Sequence, residues 1–402
     1  MHSENIHEQR ERKTDMEKVR IGVIGIGNMG SAHSRTLLSG AVENAELVAV
    51  ADVRESRRQW AKEALPPSVR IFESDEALIA SGCCDAVFVV VPHYQHPGIT
   101  IKALQAGLHV LCEKPAGVYT KQVREMNEVA DKSDRVFALM FNQRTNSCYR
   151  RMHELVQSGE LGEIKRVNWI ITDWYRTQYY YNSGDWRGTW DGEGGVLLNQ
   201  CPHQLDLLQW ICGMPEKVRA YCHEGKWHDI EVEDDVTAYL EYPNGATGVF
   251  VTSTGEAPGT NRFEIDLTKG RLVCEKGVLS CYRMEDEREF MFSSTEGFAM
   301  PKGESFDPEL DGKNPDHQGV MQAFVNRILF GTPLVAEGTE GIRGLTLSNA
   351  IHLSSWLGRE VTIPLDEDLF LAELNKKRAT SKKKTNVKEV TLSTEGTYGT
   401  YK

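Results

Sequence analysis

Gly25-Ile26-Gly27-Asn28-Met29-Gly30 follows directly on a short β-branched run, Val19 to Ile24, and opens a helical stretch. In that place the three glycines have separate work: a tight turn, close approach of backbone N–H groups to a pyrophosphate, and close contact between helix and strand. The helix N-terminus adds partial positive charge for the phosphates. Asp52 ends the next apolar run, Glu46 to Ala51. A carboxylate there accepts hydrogen bonds from the adenosine ribose of a dinucleotide and repels a 2′-phosphate. NAD is therefore expected rather than NADP, held by Gly25, Gly27, Asn28, Met29, Gly30 and Asp52. Arg54, Arg57 and Arg58 are the groups that a 2′-phosphate would need, and they read as a solvated helix face.

A second constellation is Glu113-Lys114-Pro115, which the apolar run His109 to Cys112 enters without a break. Parallel sheets bind ligands at the carboxyl ends of their strands, so Lys114 is expected near the nicotinamide end of the cofactor. A lysine held there donates to a substrate hydroxyl and, with a lowered pKa, shares in proton transfer. Pro115 restricts the backbone of Lys114. A third is the aromatic stretch Asp173 to Trp190, DWYRTQYYYNSGDWRGTW. Aromatic faces suit the C–H faces of sugars, and Arg, Asp and Asn suit hydroxyls. Trp186 and Arg187 are the first candidates, followed by Arg176, Tyr175 and Tyr179. The competing reading is a packed loop at a subunit interface, where Tyr, Trp and Arg are also enriched.

These residues need elements to position them. Val19–Ile24, Glu46–Ala51, Ala86–Val91 and His109–Cys112 alternate with helical stretches, and Ala86–Val91 is nearly continuous Val and Phe. That is the pattern of a doubly wound parallel α/β sheet. After about Gln143 the pattern changes. A helix over Ser147–Ser158 leads to a strand over Lys165–Thr172. Pro243-Asn244-Gly245 then joins two strand-like runs as a β-hairpin. Further runs at 262–267, 271–274 and 278–282 and helices at 318–330 and 339–357 complete an α+β domain with a mostly antiparallel open sheet. The expected boundaries are 1–18 for a polar extension, 19–143 and 144–368 for the two domains, and 369–402 for a basic tail.

Composition bounds the reading. Hydrophobic residues make up 40% of the 402 residues and charged ones 26%, as in an ordinary globular protein. No apolar run approaches the ~20 residues of a spanning helix, and the charged N-terminus lacks the core of a signal peptide. A cytoplasmic protein with no membrane partner is expected. The net charge is −12, although Asn375 to Lys402 is basic, with Lys376, Lys377, Arg378, Lys382, Lys383 and Lys384. An acidic body repels phosphate backbones, which argues against nucleic acid. The basic cluster reads as a solvated tail. Nine cysteines, an odd number without paired metal spacing, read as reduced thiols, and no metal is expected. His223, His228 and His317 likewise lack ligand spacing.

The chain resembles the family of NAD(P)-dependent sugar and cyclitol oxidoreductases that includes glucose–fructose oxidoreductase and inositol dehydrogenase. The resemblance rests on Gly25 to Gly30 with His33, on Val91-Pro92-His93 with His96, and on His109 to Pro115. Gly194-Gly195 through Asn199, His203 and Asp206 complete it, so that it covers roughly residues 19 to 365. It implies a Rossmann domain followed by a substrate-binding and oligomerisation domain, and a dimer or tetramer. It implies Lys114 and His203 as catalytic residues, and Pro92, His93, His96 and Glu113 beside the cofactor; the competing reading of His93 and His96 is a packed or solvent-facing histidine. Asn199 stands where family members often have aspartate; it can hold a substrate hydroxyl but cannot act as a base. Asp206 either orients His203 or pairs with another neighbour. The implied activity is hydride transfer between NAD and a secondary hydroxyl of a sugar, glycoside or cyclitol. Two rivals use the same residues: glycoside cleavage or epimerisation with recycled NAD, and a non-catalytic NAD-binding sensor.

Overall fold

The computed structural model describes residues 18–382 together with 384 and 387. The polar first seventeen residues, Lys383, residues 385–386 and the segment 388–402 lie outside the described residues. The chain forms two compact units. The first comprises residues up to Gly117, Gln122–Asn142 and Pro315–Ile342.

Its sheet contains β1 (Val19–Ile24), β2 (Ala45–Ala51), β3 (Arg70–Phe72), β4 (Ala86–Val89), β5 (His109–Cys112) and β6 (Phe137–Leu139). The order is β3-β2-β1-β4-β5-β6, and every pairing is parallel. Strands β4 and β5 are buried at every position, which explains their unbroken apolar sequences. Successive strands are added outward in one direction from β1 and in the other from β4, so the crevice at the carboxyl ends of these two strands is the binding position of a doubly wound sheet.

The helix Asp316–Phe330 belongs to this first unit, not to the second, where its place in the chain suggested. Val320, Met321, Phe324, Val325 and Ile328 form its buried face and join the core of Val19, Ile21, Val23, Phe88 and Leu111. Each such side chain contributes about 1.5–3 kcal/mol of burial. The 3.6-residue spacing shows that the helix buries a stripe, but not which core receives it.

The second unit comprises Val118–Lys121, Gln143–Asn314 and Arg343 onward. Its strands are β7 (Ile164–Ile171), β8 (Lys217–Glu224), β9 (Glu233–Glu241), β10 (Thr247–Ser253), β11 (Asn261–Leu267), β12 (Gly270–Glu275), β13 (Val278–Met284), β14 (Gly303–Phe306) and β15 (Val361–Thr362). They order as β14-β13-β12-β11-β7-β10-β9-β8-β15, antiparallel except for the parallel β7–β10 pair. The β9–β10 hairpin turns as its sequence requires. Gly245 has φ of 82°, and the Asn244 side-chain oxygen accepts from the Ala246 N–H at 3.0 Å.

The tail expected from residue 369 begins instead as a helix, Glu367–Thr380, capped by the Asp366 carboxylate on the Leu369 N–H. It buries Phe370 and Leu374 and stacks Phe370 on Trp356. Two apolar positions among lysines make a faint stripe, and the basic run beside them reads as solvated. Among the described residues no helix is long and apolar enough to cross a membrane, and no group of three His, Cys, Asp or Glu side chains gathers to hold a metal.

Candidate active site

At the carboxyl edge of the first unit's sheet, β1 runs into the glycine loop, β2 into Asp52, β4 into Pro92-His93 and β5 into Glu113-Lys114-Pro115. The glycines divide their work. Gly25 has φ of 88°, and a Cβ on it would lie 2.2 Å from the Val90 carbonyl oxygen. A Cβ on Gly30 would lie 1.9 Å from the Gly25 oxygen, so helix and loop are in backbone contact there. Gly27 differs: the nearest atom to its added Cβ would be Arg54 Nη2 at 3.7 Å. It begins the helix Asn28–Leu38, with Asn28 and Met29 in the first turn and no side chain capping the helix. The residues thus leave open backbone at the helix start, the arrangement that accepts a pyrophosphate.

Asp52 is buried and braces this loop. Its Oδ2 accepts from the Ile26 N–H at 3.0 Å, and its Oδ1 from the Arg54 N–H at 2.9 Å. Arg57 and Arg58 do not form the solvated face that their spacing suggested. Arg57 donates to the Ile26 carbonyl and Ser31 Oγ, and Arg58 to the carbonyls of Asp52 and Val53. Burial, with Arg54 nearby, lowers the Arg57 pKa. Their side chains tie the loop to the following helix.

His96 is also a brace. It is 1% exposed, and its two ring nitrogens lie 2.7 Å from the carbonyl oxygens of Val91 and Pro115. It links the ends of β4 and β5. Burial lowers its pKa against the pull of the two carbonyls. His93 is buried in the short turn His93–Gln95, and Pro92 before it is exposed.

The Lys114 backbone N–H donates to Glu113 Oε2, while His33 Nε2 pairs with Glu113 Oε1 at 2.7 Å. Burial alone would raise the Glu113 carboxyl, but the hydrogen bond and charge of His33, with His317 and Lys114 behind them, hold it down at about 2. His317 joins this cluster through a ring contact with His33 at 5.6 Å and a pairing with Asp316 at 3.1 Å. Metal-ligand spacing gave no sign of that role, because the rings are 284 positions apart in sequence and the core helix brings them together.

In the second unit, Asn199 ends the helix Val196–Asn199 and His203 lies in the first turn of the helix Pro202–Cys212, 4% exposed. Asp206 is paired with Arg144. The Arg144 guanidinium donates from Nε and Nη2 to its two oxygens, each at 2.7 Å, and Gln209 adds a third bond. Asn199 Nδ2 donates to the Tyr180 oxygen at 2.8 Å and to Glu193 Oε2 at 2.6 Å. Arg187 Nη1 reaches the same two groups, at 2.6 and 3.3 Å. Its guanidinium also lies over the rings of Tyr180 and Trp186. Arg176 lies over the Tyr180 ring and donates to the Tyr175 carbonyl. The aromatic stretch is therefore part core and part surface: Trp174, Tyr181 and Trp190 are buried, while Tyr175 and Tyr179 are exposed.

Two family models match the chain. One, described as an oxidoreductase family with an NAD-binding Rossmann fold, covers residues 19–141, and the other, the GFO/IDH/MocA C-terminal domain, covers 149–273. Together they span more than half of the chain.

The chain belongs to the Gfo/Idh/MocA oxidoreductase family.

Similar proteins include the myo-inositol 2-dehydrogenase of Thermotoga maritima, 26% identical over 87% of this chain and 99% of that protein. The D-glucoside 3-dehydrogenase of Escherichia coli is 29% identical over 86% of this chain and 97% of its own. Among solved structures, the WlbA dehydrogenase of Chromobacterium violaceum in complex with NADH and UDP-GlcNAcA aligns with a TM-score of 0.76 at 28% identity. That alignment covers 87% of this chain and 97% of that one. Within this family of NAD-binding oxidoreductases, Asn199 acquires a physical reason: an aspartate there would place a second carboxylate against the fully buried Glu193. Sequence reasoning passed over both Glu193 and Tyr180. Glu193 directly precedes the Gly194-Gly195 pair, and its place beside that motif was the one available signal.

Proposed function

We propose that this chain is an NAD-dependent oxidoreductase that acts on a secondary hydroxyl of a sugar, glycoside or cyclitol. The observation that carries the reading is the open backbone at Gly27 between two packed glycines, on the same sheet edge as Asp52 and Lys114. The relatives named for myo-inositol and D-glucosides support the substrate class.

When bound, NAD supplies the hydride acceptor for carbinol oxidation. The N–H groups from Gly27 into the first helical turn bind the pyrophosphate. Asp52 holds the loop through Ile26 and offers Oδ1 to the adenosine ribose. Glu113, kept ionised by His33, fixes the Lys114 backbone. The Lys114 ammonium donates to the substrate oxygen and stabilises its developing negative charge. The His203 imidazole takes the hydroxyl proton. Arg176, Trp186, Arg187 and Asn199 contact the substrate. The assembly is a homo-oligomer.

The test is NADH formation, followed by absorbance, with myo-inositol and with methyl α-D-glucoside. It is accompanied by identification of any nucleotide released on denaturation. NADH accumulating with either polyol supports the reading, and Lys114→Ala and His203→Ala should each lower kcat by about 100-fold or more. Turnover of the glucoside without NADH accumulation would replace net oxidation with internal hydride recycling. Release of NADP would overturn the reading of Asp52.

A further inference from the structure

Tyr180 and Tyr181 are adjacent and their hydroxyls are treated differently. Tyr181 is 2% exposed, and its hydroxyl pairs at 2.9 Å with Thr254 Oγ1, which can both donate and accept. Tyr180 is only partly buried. Among the described residues its hydroxyl oxygen has three polar partners, and all three are nitrogens: Arg187 Nη1 at 2.6 Å, Asn199 Nδ2 at 2.8 Å and Gln200 Nε2 at 3.2 Å. The guanidinium has no lone pair to offer. The Asn199 amide cannot be turned over, since that would set its oxygen against Glu193 Oε2 at 2.6 Å. Arg187 and Asn199, both fixed as donors, fill the two lone pairs of the phenol oxygen, so its own O–H must donate; the more distant Gln200 amide, which can turn its oxygen towards that O–H, is the group that a ligand oxygen would displace.

We propose that Tyr180 is a substrate-contacting residue whose O–H is a fixed hydrogen-bond donor to one oxygen of the bound polyol. This rests on the substrate class of the preceding section. The positioning group is Glu193, fully buried, which accepts from Asn199, Arg187 and the Gly188 N–H and so orients the two donors that grip Tyr180. Asn199 is then the link between a buried carboxylate and a partly buried phenol, a task that needs an amide with two hydrogens and that aspartate could not perform. Arg176 and Arg187, 5.3 and 4.4 Å from the centre of the Tyr180 ring, hold the ring itself in place.

The experiment has two arms. In the first, the NAD-loaded enzyme is assayed with myo-inositol and methyl α-D-glucoside and with the single-deoxy analogues of whichever is oxidised. Tyr180→Phe should raise KM about tenfold for the parent and leave the pH profile unchanged. One deoxy analogue should be handled equally by wild type and variant, because it lacks the oxygen that Tyr180 contacts. A uniform loss across all analogues, or no loss at all, overturns the proposal. The second arm needs no substrate. The ultraviolet phenol titration of wild type minus Tyr180→Phe isolates Tyr180, and Asn199→Leu, which removes an N–H donor, should move that curve upward by about one pH unit. An unmoved curve overturns the network whatever the probes do. A wild-type enzyme that oxidises neither polyol overturns the substrate class alone, and the titration still decides the network.

Discussion

Replacing Gly27 by alanine separates binding from folding at the glycine loop. Its φ of −66° is open to any residue, and the added methyl would meet only the end of the flexible Arg54 side chain at 3.7 Å. The loss of glycine at a helix start and the gain from a stiffer unfolded chain are each of order 0.5–1 kcal/mol and opposed in sign. The melting temperature of the cofactor-free protein should therefore stay within about 4 °C of wild type. Binding is different. A phosphate oxygen bonded to a backbone N–H sits ~2.9 Å from the nitrogen, whereas a methyl requires ~3.5–4 Å of clearance. Displacing the pyrophosphate weakens one or two charge-assisted bonds of about 1.5–3 kcal/mol each. NADH affinity should fall by about 10- to 100-fold or more. Gly30→Ala is the opposite case: its Cβ would stand 1.9 Å from the Gly25 oxygen, backbone against backbone. It should cost about 1–3 kcal/mol or more in stability before any ligand is added. Thermal melts of stripped protein and fluorescence titration with NADH measure both effects. Wild-type NADH affinity in Gly27→Ala would refute the placement of the pyrophosphate, and a wild-type melt in Gly30→Ala would refute the packing.

Arg144→Met should destabilise the second unit by about 3–5 kcal/mol, since it strands the Asp206 carboxylate at 1% exposure, and Arg144→Met with Asp206→Leu should recover much of the loss in chemical denaturation. The pKa of His228 is raised, burial being outweighed by its hydrogen bonds to Asp234 and the Arg176 carbonyl. Its contribution is complete below the ordinary value near 6.5 and is lost as pH rises through the higher folded value. Hydrogen exchange around Arg176 should accelerate over that rise, and His228→Asn should abolish the pH dependence. Glu113 works in the other direction: lowered to about 2, it contributes above its ordinary 4.5 and loses that contribution as pH falls between the two. Removing its partner in His33→Phe should move acid unfolding of the first unit to higher pH, as seen by circular dichroism.

The sequence by itself determined the elements whose signals are local. A β-branched run ending in glycines, an acidic residue closing the next strand, continuous Val and Phe in a doubly covered strand, and Asn-Gly at a hairpin each act over a few residues, so neighbours in the chain suffice to show them. What only the tertiary structure decided is which polar side chains meet. His33 and Glu113 are 80 residues apart, Arg144 and Asp206 62, and Asn142 and Asp316 174. Such pairs are chosen by how helices and strands dock, and a residue's type states only that it needs a partner when buried. For the same reason Asp52 serves as a loop brace, His96 as a strap between strand ends, and the helix Asp316–Phe330 in the first core. Tyr180 was one tyrosine in an aromatic run until folding set three nitrogens around its oxygen and left its hydrogen for a ligand.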